Sequence, residues 1–108
     1  MKTLIKVGAG RLTVSLCGEL DHHSAKESTD EILDGIDTAI PRELVLDMSK
    51  LSFMDSSGIA LIMRSYRRMT EYGGRLMIQN PQQQPYKVME AAGIFRNIEI
   101  TSGGEVLT

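Results

Sequence analysis

The chain has 108 residues, a formal net charge of −2 and 24% charged residues, which is enough for one hydrophobic core but lacks the basic excess that electrostatic binding to nucleic acid or an anionic membrane needs. With one cysteine, Cys17, no internal disulfide and no thiolate metal cluster can form within the chain. No apolar run approaches the roughly 20 residues of a membrane span, and Met1–Val7 reads as too brief for a signal peptide. The expectation is one domain over residues 1–108 in the cytoplasm, with protein or small-molecule partners and neither nucleic acid nor membrane.

Thr3–Val7 and Arg11–Cys17 are strand-like runs, and Gly8-Ala9-Gly10 between them suits the tight link of an antiparallel hairpin. Cys17 closes an alternating run, where a buried, inert thiol is expected. Gly18-Glu19-Leu20-Asp21-His22-His23 leads into a helix in which Ser24 and Glu27 have the spacing of a capping box. Ala25, Ser28 or Thr29, Ile32, Leu33 and Ile36 mark its buried side, and Pro41 enforces a break. Leu44, Val45, Leu46 and Met48, with Asp47 inside the run, suit a covered third strand.

The stretch Leu51–Gly58 must then turn into a central helix whose apolar stripe is Ile59, Ile62, Met63, Tyr66 and Met69, with Arg64, Arg67, Arg68 and Glu71 largely outside it. Gly73-Gly74 supplies a left-handed stop, and Arg75–Gln79 forms a fourth strand. A further helix starts near Gln83 to Pro85 and runs to Gly93, after which Ile94 and Phe95 fold back on the core. Asn97–Thr101 is a fifth strand, and Glu105, Val106 and Leu107 are expected to form a short terminal helix. The pattern predicts an α/β fold. One mixed sheet of about five strands, with an N-terminal antiparallel hairpin, packs against three to four helices through right-handed crossovers.

Asp55, Ser56 and Ser57 each have a short oxygen-bearing side chain able to cap the central helix, and capping alone accounts for Asp-Ser-Ser-Gly before an apolar-periodic segment. A strand-to-helix turn at the carboxyl end of a sheet is also where open α/β folds place their sites. A phosphate on a hydroxyl there would meet the positive end of the helix dipole. A serine hydrolase requires glycines two positions either side of its nucleophile. Ser56 is flanked instead by Met54 and Gly58, and Ser57 by Asp55 and Ile59. His22 and His23, even with Glu19 and Asp21, make a poor metal site because adjacent residues rarely converge on one ion. With no Walker A sequence either, the expectation is a protein with no catalytic residues, metal or cofactor.

Gly18-Glu19-Leu20-Asp21-His22-His23, the hydrophobic strand before Asp47, Leu51-Ser52-Phe53-Met54-Asp55-Ser56-Ser57-Gly58 and the Gly73-Gly74 turn together resemble bacterial anti-sigma factor antagonists of the STAS domain class, in particular the sporulation type. The resemblance covers nearly the whole chain. It implies a switch in partner-switching transcription control. The unmodified form binds an anti-sigma factor that is also a serine kinase and so frees the sigma factor. ATP-dependent phosphorylation ends the binding, and a serine phosphatase restores it. By the same resemblance the phosphoacceptor is Ser56, with Ser57 the fallback. The partner-facing residues are Glu19, Asp21, His22, His23, Asp55, Ser57 and Gly58, and the free protein is a monomer. The alternative is a ligand- or nucleotide-sensing or scaffold STAS module.

Overall fold

The computed structural model describes residues 1–101; the terminal helix expected at Glu105–Leu107 lies outside them. The hairpin forms as expected, with β1 (Lys2–Gly8) antiparallel to β2 (Arg11–Leu20). Ala9 and Gly10 turn the chain in the left-handed region, as a two-residue hairpin link requires. Then come α1 (Ala25–Ala39), β3 (Glu43–Asp47), β4 (Leu51–Met54), α2 (Ser56–Glu71), β5 (Arg75–Gln79), α3 (Gln83–Ala91), a 3₁₀ turn at Ile94–Arg96, and β6 (Glu99–Thr101).

Among the described residues six strands form one mixed sheet in the order β1-β2-β3-β5-β6, with β4 paired to β2 away from that path. The sixth is β4, which the sequence pattern presents as part of a turn. Its four residues are buried, exposed, exposed, buried, so no alternation marks them as a strand. β2 serves two neighbours in succession. Arg11–Ser15 pair with β3, and after an irregularity at Gly18 and Glu19 the strand ends beside β4. Gly18 takes φ +106, a conformation L side chains rarely adopt, and its amide donates to the carbonyl of Lys50 at 2.9 Å.

Residues paired across the sheet share a face. Leu12, Leu44 and Leu76 therefore make one row and Val14, Leu46 and Ile78 the next, all buried in the core to which α1 and α2 contribute. The opposite face carries the row Arg11, Glu43, Arg75, joined by ion pairs of 2.7 and 2.8 Å. Cys17 follows the same period of two and comes to lie half-buried, not sealed in the core, because Leu12, Val14 and Leu16 occupy the buried side of β2.

α1 buries Ala25, Ser28, Thr29, Ile32, Leu33 and Ile36, the side its spacing predicts. α2 is turned slightly from its predicted stripe. Gly58, Leu61, Ile62, Ser65 and Met69 are buried, whereas Ile59, Met63 and Tyr66 are only partly so. Ser65 is tolerated inside because its hydroxyl donates to the Leu61 carbonyl at 2.8 Å. Arg68 donates to Asp37 on α1 at 2.6 and 2.7 Å, and Tyr72 donates to the same carboxylate at 3.0 Å. α2 ends in the predicted glycine stop, the Gly74 amide donating to Met69 O at 2.8 Å and the Gly73 amide to Thr70 O at 3.0 Å.

Candidate functional site

Two strand-to-helix turns sit side by side at one end of the sheet. Leu20, the last residue of β2, pairs with Met54, the last residue of β4, and the strands are parallel. The segments that follow them, Asp21–Ser24 and Asp55–Ser57, therefore leave the sheet in the same direction. One backbone bond ties the turns together, from the Asp55 amide to the Leu20 carbonyl at 3.3 Å. Thirty-four positions of sequence separate the two aspartates; adjacent strands remove that separation.

Both turns are built the same way. The Asp55 side chain accepts from the Ser57 amide at 2.8 Å, and its carbonyl accepts from the Gly58 amide at 2.9 Å. Of the three capping candidates, the aspartate is the cap of α2. Asp21 likewise accepts through Oδ1 from the amides of His23 and Ser24 at 3.0 and 3.1 Å, while its carbonyl accepts from Ala25 at 3.0 Å. The Ser24–Glu27 capping box does not form: Ser24 makes no side-chain cap bond to α1, and its hydroxyl donates to Glu19 O and accepts from the Asp21 amide instead. The Asp21 carboxylate closes the turn ahead of α1 and leaves the helix itself without a side-chain cap. The Ser24 amide lowers the pKa of Asp21, and the His23 amide and charge add to that effect against the opposing influence of desolvation.

With Asp55 as cap, Ser56 becomes the first residue of α2 and is exposed, while Ser57 and Asp55 are half-buried and Gly58 is buried. A β-carbon at Gly58 would run into the Met54 side chain and come within 3.1 Å of Leu20. The glycine is what lets the start of α2 lie against the ends of β4 and β2. Of the residues flanking the other turn, Glu19, His22 and His23 are exposed and Asp21 is half-buried. Glu19 belongs to the end of β2, not to the loop.

The two histidine rings meet edge to face at 5.7 Å. Among the described residues neither histidine forms a hydrogen bond with Ser56 or Ser57, so the apposition of nucleophile and base that hydrolysis uses is not formed. No group of three His, Cys, Asp or Glu among those residues is placed to hold a metal ion, and no described helix is long and apolar enough to cross a membrane. What the geometry offers is an accessible hydroxyl at a helix start, where backbone amides and the helix dipole favour a negative group. The contribution of α3 was not legible from spacing: Gln84 bonds to both backbone polar groups of Met54, and Gln82 donates to the carbonyl of Ser49.

The STAS domain family model matches residues 3–103. An anti-sigma F factor antagonist of Paenibacillus polymyxa is 33% identical over 95 residues, covering 84% of this chain and 78% of that protein. The structure of the anti-sigma factor antagonist SpoIIAA in its unphosphorylated form aligns with a TM-score of 0.82 at 25% identity, covering 98% of this chain and 93% of that one. The Bacillus cell fate determinant SpoIIAA in the phosphorylated form aligns with a TM-score of 0.74 at 25% identity, covering 98% and 96%.

Proposed function

The chain belongs to the STAS domain family, and on that premise we propose that it is an anti-sigma factor antagonist switched by phosphorylation of Ser56. The observation that carries this reading is the exposure of Ser56 at the first position of α2, directly after the Asp55 cap and beside the Asp21 turn. The Ser56 hydroxyl attacks the γ-phosphorus of ATP held by the partner kinase. An oxygen–phosphorus bond forms, ADP leaves, and the hydroxyl proton passes to the kinase. Ser57 is the fallback acceptor and is less accessible.

Phosphorylation adds about −1.5 to −2 charges. The helix start accommodates them, so the fold is retained. A tightly packed partner contact at that position does not, because a doubly charged group there must be desolvated and paired or meet like charge. Like-charge contact in an interface costs several kcal/mol, and each 1.4 kcal/mol is about tenfold in affinity. The partner surface comprises Glu19, Asp21, His22, His23, Asp55 and Ser57; Gly58, expected among them, is buried against Met54 and Leu20 and serves to seat α2 rather than to meet a partner. On this reading the chain is a cytoplasmic, non-catalytic sporulation-type regulator, one STAS domain over residues 1–108. It is a monomer when free, needs no cofactor, and is dephosphorylated by a serine phosphatase.

Incubation with ATP and the candidate kinase, followed by mass spectrometry, tests the reading. Phosphate on Ser56 that vanishes in Ser56→Ala supports it. Binding of a nucleotide by the isolated chain, without transfer to any serine, rejects it in favour of a ligand-sensing module.

A further inference from the structure

Among the described residues β4 pairs with β2 alone, so the backbone groups on its other edge must find partners elsewhere. At Met54 one side chain supplies both. The Met54 amide donates to Oε1 of Gln84 at 2.8 Å, and Nε2 of Gln84 donates to the Met54 carbonyl at 3.0 Å. A primary amide carries a donor and an acceptor in one plane, so Gln84 reproduces one peptide unit of an absent neighbouring strand. The next amide, that of Asp55, points the other way, to Leu20. The last residue of β4 is therefore gripped from α3, and the residue after it from β2, immediately before Ser56.

From this grip we propose that Gln84 is a positioning residue for Ser56: it holds the acceptor turn in the conformation that the partner kinase reads, and it couples α3 to the switch. The inference rests on the reading of Ser56 as phosphoacceptor. Met54 is fully buried as a residue, and without Gln84 its amide and carbonyl lose their partners, which favours conformations of the turn that expose them. If the competent conformation falls to about a tenth of the population, the apparent Kd for the kinase rises about tenfold. Gln82 provides the control. It makes a bond of 2.8 Å from the start of α3 to Ser49, in the turn before β4, and among the described residues it forms no hydrogen bond with Met54.

The test compares wild type, Gln84→Ala and Gln82→Ala. In the free protein, amide exchange at residues 54–57 is expected to be about tenfold faster in Gln84→Ala and unchanged in Gln82→Ala. With the kinase, kcat/KM for Ser56 is expected to fall about tenfold in Gln84→Ala, through KM, and to stay at the wild-type value in Gln82→Ala. Unchanged exchange at residues 54–57 in Gln84→Ala overturns the positioning role, as does a kinetic loss in both variants that merely follows their Tm. Wild-type protein that takes no phosphate on Ser56 overturns the functional reading instead, and the exchange data then still decide whether Gln84 holds the turn.

Discussion

The Asp55 amide donates to the carbonyl of Leu20 at 3.3 Å, and this bond makes neighbours of two turns that lie far apart in the chain. Each turn ends a strand, and each is closed by an aspartate accepting the amide two residues on. The exposed hydroxyl of Ser56 follows one aspartate and the exposed histidine pair follows the other. Both are thus carried at the same end of the sheet, on turns that follow paired parallel strands.

Placing a permanent negative charge at the start of α2 should spoil docking without unfolding the chain. Ser56→Asp is expected to weaken binding to the unphosphorylated form's partner about ten- to hundredfold, with stability within about 0.5 kcal/mol of wild type, as for other exposed positions. Titration calorimetry and thermal melts measure the two effects separately. A Ser56→Asp protein that binds like wild type contradicts the charge argument.

Removing the cap should cost stability locally. Asp55→Ala deletes the acceptor of the Ser57 amide and is expected to destabilise the protein by about 1 kcal/mol, a Tm drop of roughly 4 to 8 °C for a domain of this size. Asp55→Asn keeps an oxygen in the same place and should recover most of that loss.

Gly58→Ala probes close approach. The new methyl group would overlap the Met54 side chain and crowd Leu20, so α2 must shift outward or Met54 must change rotamer. A destabilisation of about 1 to 3 kcal/mol is expected, despite the better helix propensity of alanine. Urea denaturation checks it, and a gain in stability would show that Met54 yields freely.

Acid should weaken the protein through identifiable carboxylates. Arg75 and then Arg11 hold Glu43 below its ordinary pKa, and the hydrogen bonds from Arg68 and Tyr72 do the same for Asp37. Because the folded values are lowered, the unfolded chain binds more protons in this range. The stabilisation is present above the ordinary carboxylate pKa of about 4 and is lost as pH falls through the folded values. Denaturation midpoints should therefore be level above about pH 5 and fall below about pH 4. Glu43→Gln should fall less steeply.

Ile40 ends α1 in the left-handed region, φ 43° and ψ 59°, where a β-branched side chain is strained, and its side chain is exposed. Relief of about 1 to 2 kcal/mol of left-handed strain outweighs the roughly 0.5 to 1 kcal/mol entropic cost of glycine. Ile40→Gly is thus expected to raise stability by about 0.5 to 1 kcal/mol in urea denaturation.

Most of the scaffold was legible because its elements repeat locally. The burial of Ala25, Ile32, Leu33 and Ile36 follows from helical period alone, and the stop at Gly73-Gly74 from the φ freedom of glycine. β4 was not, since its four residues neither alternate nor form an apolar run, and it becomes a strand only because β2 continues past Gly18 to pair with it. α2 turned from its predicted stripe because it packs against α1 as well as the sheet, a demand that its own sequence does not display.

The amino-acid order by itself determined the buried face of α1, the hairpin, and the presence of a capped turn containing Asp55, Ser56 and Ser57. Tertiary structure alone decided which of the three caps, which hydroxyl stays in solvent, that the Asp21 turn lies alongside, and that Gln84 reaches Met54 from α3. Periodicity and capping are properties of a few consecutive residues, whereas hydrogen bonds between segments 30 or more positions apart exist only once the sheet has set their register.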